Sequence, residues 1–217
     1  MLPVAMAAEQ PSSDAARIVA EGYDRIAERY RAWSKDSPVR LRFLEEILAR
    51  LAPGSSVIEL GCGAGEPVTR RFSERHHVTG VDVSTEQLRL AAEVAPSATL
   101  IAADITAIDF PPASADAVIG FYVFGHVPPD AHRPLLAKAV SWLRPGGLLV
   151  INVPVADGDG IDPDWLSVPM YFGAIGEVET LAALTAAGLA VERAQVIEED
   201  EDGLVVRFLW VVGEVPS

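Results

Sequence analysis

Apolar periodicity begins after about residue 13. From Ser13 and Asp14 onward, Ile18, Tyr23, Ile26 and Tyr30 recur at mostly helical spacing behind a capping pair, which predicts an amphipathic helix. A second helix is predicted from Pro38 through Leu41, Leu44, Ile47, Leu48 and Leu51, stopped by Pro53 and Gly54. The texture then changes to short apolar runs at 57–60, 78–83, 99–103, 117–122 and 148–153, separated by helical patterns at 66–75, 85–95 and 130–143. That alternation predicts parallel strands joined by right-handed helical crossovers, an open doubly wound α/β sheet. An acidic, glycine-rich stretch at about 155–175 reads as an inserted loop. The chain closes with a helix near 178–187 ended by Gly188, and two strands at 191–198 and 204–212 whose Asp200-Glu201-Asp202-Gly203 turn makes them an antiparallel hairpin. The expected organisation is a mobile tail at 1–13, a helical cap at 14–53, and an α/β domain at 54–217.

Composition narrows the classes. The chain has 217 residues, half of them hydrophobic, enough for one sizeable core. With 17 Lys+Arg against 31 Asp+Glu the formal charge is −14, a field that repels phosphate backbones and anionic lipid, so neither nucleic acid nor a membrane surface is an expected partner. No apolar run approaches the ~20 residues of a bilayer span, and the first eight residues lack the basic flank of a signal peptide. The single cysteine, Cys62, allows no intramolecular disulfide and no thiolate zinc site. These features predict a soluble, cytoplasmic protein without a metal.

The strongest local signal is Val57-Ile58-Glu59-Leu60-Gly61-Cys62-Gly63-Ala64-Gly65-Glu66-Pro67, a buried strand that breaks into three alternate glycines before a helix. Such glycines let backbone approach a ligand closely and turn the chain sharply. The dinucleotide pattern G-x-G-x-x-G would need glycine where Glu66 stands. A carboxylate in the first helical turn opposes pyrophosphate, which disfavours a nicotinamide cofactor. Asp82 ends the second strand, placed to accept from both hydroxyls of a ribose, and Asp104 ends the third, where it can accept from an exocyclic amine beside the apolar Ile105 and Val83. Adenosine without phosphates fits this set.

Five elements in order, Glu59-Leu60-Gly61-Cys62-Gly63-Ala64-Gly65, Gly80-Val81-Asp82-Val83-Ser84, Ala103-Asp104-Ile105, the Phe121–Val127 segment and Leu143-Arg144-Pro145-Gly146-Gly147, resemble the class I S-adenosylmethionine-dependent methyltransferases, in particular their small-molecule branch. The resemblance extends from about Tyr23 to Val212. It implies a Rossmann-like seven-stranded mixed sheet of order 3-2-1-4-5-7-6 with strand 7 antiparallel, S-adenosylmethionine as cofactor, and S-adenosylhomocysteine as product. It further implies that Glu59, Gly61, Cys62, Gly63 and Gly65 face the methionine portion, Asp82 the ribose, and Asp104 and Ile105 the adenine, with Val83 among the cofactor-binding residues. Phe121 and Tyr122 would line the pocket, and Tyr23 and Tyr30 would fold over the cofactor carboxylate.

Methyl transfer from a sulfonium is an in-line displacement with an activated donor, so alignment and water exclusion supply most of the acceleration, up to ~7–11 kcal/mol. A base is needed only where the acceptor must lose a proton. His126, just beyond the fourth strand, is the candidate base; its alternative is a loop histidine that caps the next helix or packs against the cofactor. Trp33, Trp165, Met170, Tyr171 and Phe172 are the candidate acceptor pocket, with plain core packing as the alternative. His76, His77, a surface His132, Cys62 and the aspartates of 157–164 are expected to carry no chemistry. The reading is transfer of methyl to O, N or C of a small apolar or aromatic metabolite. An S-adenosylmethionine-binding protein, or a cyclase-like enzyme that moves no methyl, is the competing possibility.

Overall fold

The computed structural model describes residues 13–34, 36–201 and 203–217. The expected tail lies outside these residues except for Ser13, whose Oγ accepts from the Ala16 N–H at 3.1 Å and caps the first helix. The elements run α1 (Asp14–Ser34), α2 (Pro38–Arg50), β1 (Ser56–Leu60), α3 (Val68–Ser73), β2 (His77–Asp82), α4 (Thr85–Val94), β3 (Thr99–Ala102), β4 (Ala115–Gly120), α5 (Pro129–Trp142), β5 (Leu143–Pro154), β6 (Asp157–Trp165), β7 (Val168–Ile175), α6 (Gly176–Ala186), β8 (Ala190–Glu201) and β9 (Leu204–Glu214). Serine caps set two more helix starts: Ser37 Oγ accepts from Arg40 N at 3.2 Å and Ser84 Oγ from Gln87 N at 3.1 Å. Each such cap stabilises its helix by about 1 kcal/mol. Among the described residues no helix is long and apolar enough to cross a membrane.

Seven strands form one sheet in the order β3-β2-β1-β4-β5-β9-β8, and only β9 runs against the others. Counted within that sheet, this is the 3-2-1-4-5-7-6 order that the resemblance implies. β1 pairs in parallel with β2 on one side and β4 on the other, so the crossovers diverge there and a crevice opens beyond the carboxyl ends of these strands. Alternate residues of each strand feed opposite faces. Ile58, Leu60, Val118, Leu149 and Ile151 pack toward α5 and α6, whereas Val57, Ala117, Ile119, Leu148 and Val150 pack with Phe43, Leu44 and Ile47 of α2 and with Phe72 of α3. On that second face Phe43 stacks on Trp210 with ring centroids 4.2 Å apart.

Three expectations change. Helix α3 starts at Val68, not at residue 66, so Glu66 lies in the turn before it. The stretch expected to be an inserted loop is an antiparallel hairpin, β6 against β7, with Ile161 opposite Tyr171. His132, expected on the surface, is fully buried, and its Nε2–H donates to the Val127 carbonyl at 3.0 Å. The hairpin shapes the crevice because β7 packs on α1. A Cβ at Gly22 would come within 2.8 Å of Met170 Cε, so the missing side chain is what lets the two elements close on each other. Together α1 and the hairpin roof the crevice.

Candidate active site

The loop after β1 is shaped by backbone constraints that only glycine meets. Gly61 has φ +65°, and a Cβ there would sit 2.5 Å from the Val123 β-carbon. Asp82, at the end of β2, ties that loop to the next one: Oδ2 accepts from Gly63 N at 2.8 Å and Oδ1 from Ser84 N at 2.9 Å. Burial pushes this carboxyl up to about 6 despite those two bonds. Gly65 does something different from what its place in the motif suggests. At φ +77° its Cβ position is 3.1 Å from Ala91, so it serves the packing of the loop on α4 and does not line the ligand space.

A narrow cavity runs from this loop along the ends of β2 and β3. Gly61, Gly63, Asp82, Val83, Asp104 and Ile105 form its floor and sides, and Phe121, Tyr122, Tyr23 and Tyr30 also line it. Sequence reasoning misses several contributors, among them two residues of α1 and one of α4. Ala16 and Val19 of α1 cover the cavity, and Gln87 of α4 borders the same space. Gln87 is buried, yet neither its amide oxygen nor its amide nitrogen has a partner among the described residues. An orphaned amide costs about 1–3 kcal/mol, which a polar ligand in this cavity would recover. Gln87 follows the Ser84 cap by three positions, a spacing visible in the sequence but uninformative until β2 and α4 are placed.

Beyond Gly61 a second, smaller cavity is lined by Tyr30, Arg31, Arg40, Glu59, Cys62 and Glu66. Glu59 is buried and accepts from Thr69 Oγ1 at 2.7 Å; burial raises its pKa to about 8, with the Thr69 bond and Arg40 pulling the other way. The sequence pattern does not single out Arg40. It is only 8% exposed, its guanidinium lies 4.6 Å from the Tyr122 ring centroid, and its Nε has no partner among the described residues. A buried cation with an unused donor next to a buried carboxyl suits a zwitterionic amino-acid head. Glu66 is not the bare charge that the sequence suggests, since Arg31 at 2.8 Å and Arg70 at 3.3 Å offset it and hold its pKa below the ordinary value. The burial of Cys62 pushes its thiol pKa well up, which fits a small loop residue. The orphaned Gln87 amide, the orphaned Arg40 donor and the phosphate-free cradle fit the adenosyl and amino-acid ends of S-adenosylmethionine.

Under α1 and the hairpin lies a larger cavity of about 940 Å³. Tyr23, Tyr30, Tyr122 and His126 line both it and the first cavity, so they stand at the junction. His126 Nδ1–H donates to the Tyr171 carbonyl at 2.8 Å, which leaves Nε2 as the acceptor of the Tyr23 hydroxyl at 2.8 Å. Burial lowers the His126 pKa to about 4 and raises that of Tyr23 well above 10, so imidazole and phenol are both neutral. Tyr122 adopts φ +59°, held by its N–H to Asn152 Oδ1 at 2.6 Å and its hydroxyl to Glu199 Oε2 at 2.6 Å. Of the expected acceptor pocket, Trp33, Trp165 and Phe172 line the large cavity. Met170 and Tyr171 do not: Met170 fills the space left by Gly22, and Tyr171 is buried beside it, its carbonyl spent on His126 and its hydroxyl on Asp159.

Residues 57–147 match a family model described as a methyltransferase domain. The chain is 37% identical over 120 residues to trans-aconitate 2-methyltransferase of Azoarcus sp. (strain BH72), covering 53% of this chain and 46% of that protein, and thus spans about half the length of such a relative. Among solved structures, a Burkholderia thailandensis 1,6-didemethyltoxoflavin-N1-methyltransferase with bound S-adenosylhomocysteine aligns with TM-score 0.71 at 22% identity over 96% of this chain and 92% of that one. A [4+2]-cyclase aligns with TM-score 0.68 at 15% identity over 91% and 94%. Residues 57–147, from β1 and the glycine loop to the start of β5, thus carry the likeness to a methyltransferase domain, on a sheet whose strand order is the one that the resemblance to class I S-adenosylmethionine-dependent methyltransferases implies.

Proposed function

We propose that the chain transfers a methyl group from S-adenosylmethionine to a small-molecule acceptor held in the larger cavity. One observation carries this reading: the cavity that fits adenosine and the cavity large enough for an acceptor share a wall of four side chains, Tyr23, Tyr30, Tyr122 and His126. The bound cofactor supplies an activated methyl on a sulfonium. The chain's own residues do the rest. Asp82 holds the ribose hydroxyls, Asp104 and Ile105 the adenine, Gln87 a polar atom of the nucleoside, and Arg40 with Glu59 the amino-acid head. Tyr23, Tyr30 and Tyr122 close the junction against water, so that the reacting atoms meet in a dry passage.

His126 is the junction's fixed acceptor. The Tyr171 carbonyl holds its tautomer, so Nε2 can take a hydrogen bond from the nucleophile's own N–H or O–H, directly or through the Tyr23 hydroxyl. A pKa near 4 is far from the operating pH that general-base catalysis favours, so orientation is the larger share of its role. The deciding experiment measures S-adenosylhomocysteine against methylated product over an acceptor panel. Equal amounts of both support methyl transfer. Binding and conversion of an acceptor without consumption of the cofactor supports the cyclase-like alternative, for which the structural neighbour with that activity supplies a precedent on this fold. His126→Ala is expected to keep cofactor affinity and lower turnover; unchanged turnover removes His126 from the mechanism.

A further inference from the structure

We propose that the acceptor carries a positive charge on a compact apolar or aromatic body, and that the larger cavity rejects polyanions. The inference rests on the methyl-transfer reading and adds the substrate class. The first support is the floor of the cavity. Tyr30, Trp33, Trp165 and Phe172 surround the junction with ring centroids 5.7–6.4 Å apart, from Trp165 to Phe172, Tyr30 and Trp33. Aromatic faces carry negative quadrupole potential and attract a desolvated cation.

The second support is charge. Eight carboxylates and one arginine, Arg40, line the cavity among the described residues. They come from separate elements: Asp157, Asp159 and Asp162 from β6, and Glu199 and Asp200 from the far end of β8. None of those five forms an ion pair with a described residue. Arg40 also lines the small cavity beside Glu59 and lies over the ring of Tyr122, whose hydroxyl donates to Glu199. A cleft of one sign bounded by apolar walls concentrates ions of the opposite sign. Trans-aconitate, the acceptor in the name of the Azoarcus relative, is a tricarboxylate and would meet repulsion along both walls.

The test uses the full chain loaded with S-adenosylhomocysteine and follows quenching of tryptophan fluorescence, since Trp33 and Trp165 line the cavity. The probes are benzyltrimethylammonium, benzenesulfonate and trans-aconitate. The cation is expected to quench saturably and to bind at least ~10-fold more tightly than either anion at low salt, an advantage that shrinks as salt is raised. The Asp157→Asn/Asp162→Asn double variant is expected to reduce the cation's affinity ~3–10-fold and to leave S-adenosylhomocysteine affinity unchanged by calorimetry. An anion that binds as tightly as the cation, an absence of saturable quenching by the cation, or an undiminished cation affinity in the double variant would overturn the proposal. Failure of the methyl-transfer reading looks different: no heat with S-adenosylhomocysteine, or acceptor conversion without its release.

Discussion

Glu59→Gln separates two effects that a routine substitution would blur. In the folded protein the Glu59 carboxyl titrates near 8, against an ordinary value of 4.5. Between those pH values the folded state binds more protons than the unfolded state, so stability falls as pH rises through this window and the loss is complete above it. At 1.36 kcal/mol per unit the shift corresponds to ~4–5 kcal/mol of destabilisation at pH 8.5. Glutamine keeps the acceptor for Thr69 and removes the titration, but it buries an amide N–H₂ without an assigned partner, at a cost of ~1–3 kcal/mol. The variant should therefore be ~1–3 kcal/mol less stable than wild type at pH 4.5 and ~1–4 kcal/mol more stable at pH 8.5. Urea melts at intervals across that range give the difference curve, in which other titrating groups largely cancel. If Glu59 also receives the cofactor's ammonium, the same variant binds S-adenosylhomocysteine more weakly at pH 8.5 while being more stable. Parallel stability curves for the two proteins would refute the buried, proton-binding carboxyl.

Arg40→Met should weaken S-adenosylhomocysteine ~10–100-fold by loss of a charge-assisted contact while sparing 5′-methylthioadenosine, which lacks the amino-acid head; equal losses for both ligands in calorimetry would mean that Arg40 merely packs. Gly61→Ala places a Cβ against Val123 at φ +65° and should cost ~1–3 kcal/mol, read from urea midpoints at constant slope. The His126 pKa falls from 6.5 to about 4 on folding, so its contribution to stability is full above 6.5 and drains away as pH drops toward 4; His126→Gln should flatten that acid limb in the same melts.

The strands that flank the crevice are legible in the sequence because they are largely buried and therefore read as short, mostly apolar runs, and the glycine loop is legible because its backbone excludes side chains. β6 is not, since all of its residues except Trp165 are exposed and no alternation marks Asp157–Trp165 as a strand; its pairing with β7 defines it. Glu66 reads as a bare charge because Arg31 lies thirty-five positions earlier and only the fold brings them together. The same holds for Arg40, a helix residue that packing against Tyr122 brings to the small cavity, and for the carboxylates of β8, which line the large cavity. Met170 and Tyr171 share the aromatic, apolar texture of the true lining residues, and only the close approach at Gly22 assigns them to the core.

Helix α1 contributes Ala16 and Val19 to one compartment and Trp33 to the other, with Tyr23 and Tyr30 over the boundary. Val19 and Trp33 are about 21 Å apart along a single rigid rod at 1.5 Å per residue. If α1 moves as one body, a ligand that tightens it at one end is expected to restrain it at the other, and by reciprocity each of the two proposed ligands would then raise the other's affinity by the same factor.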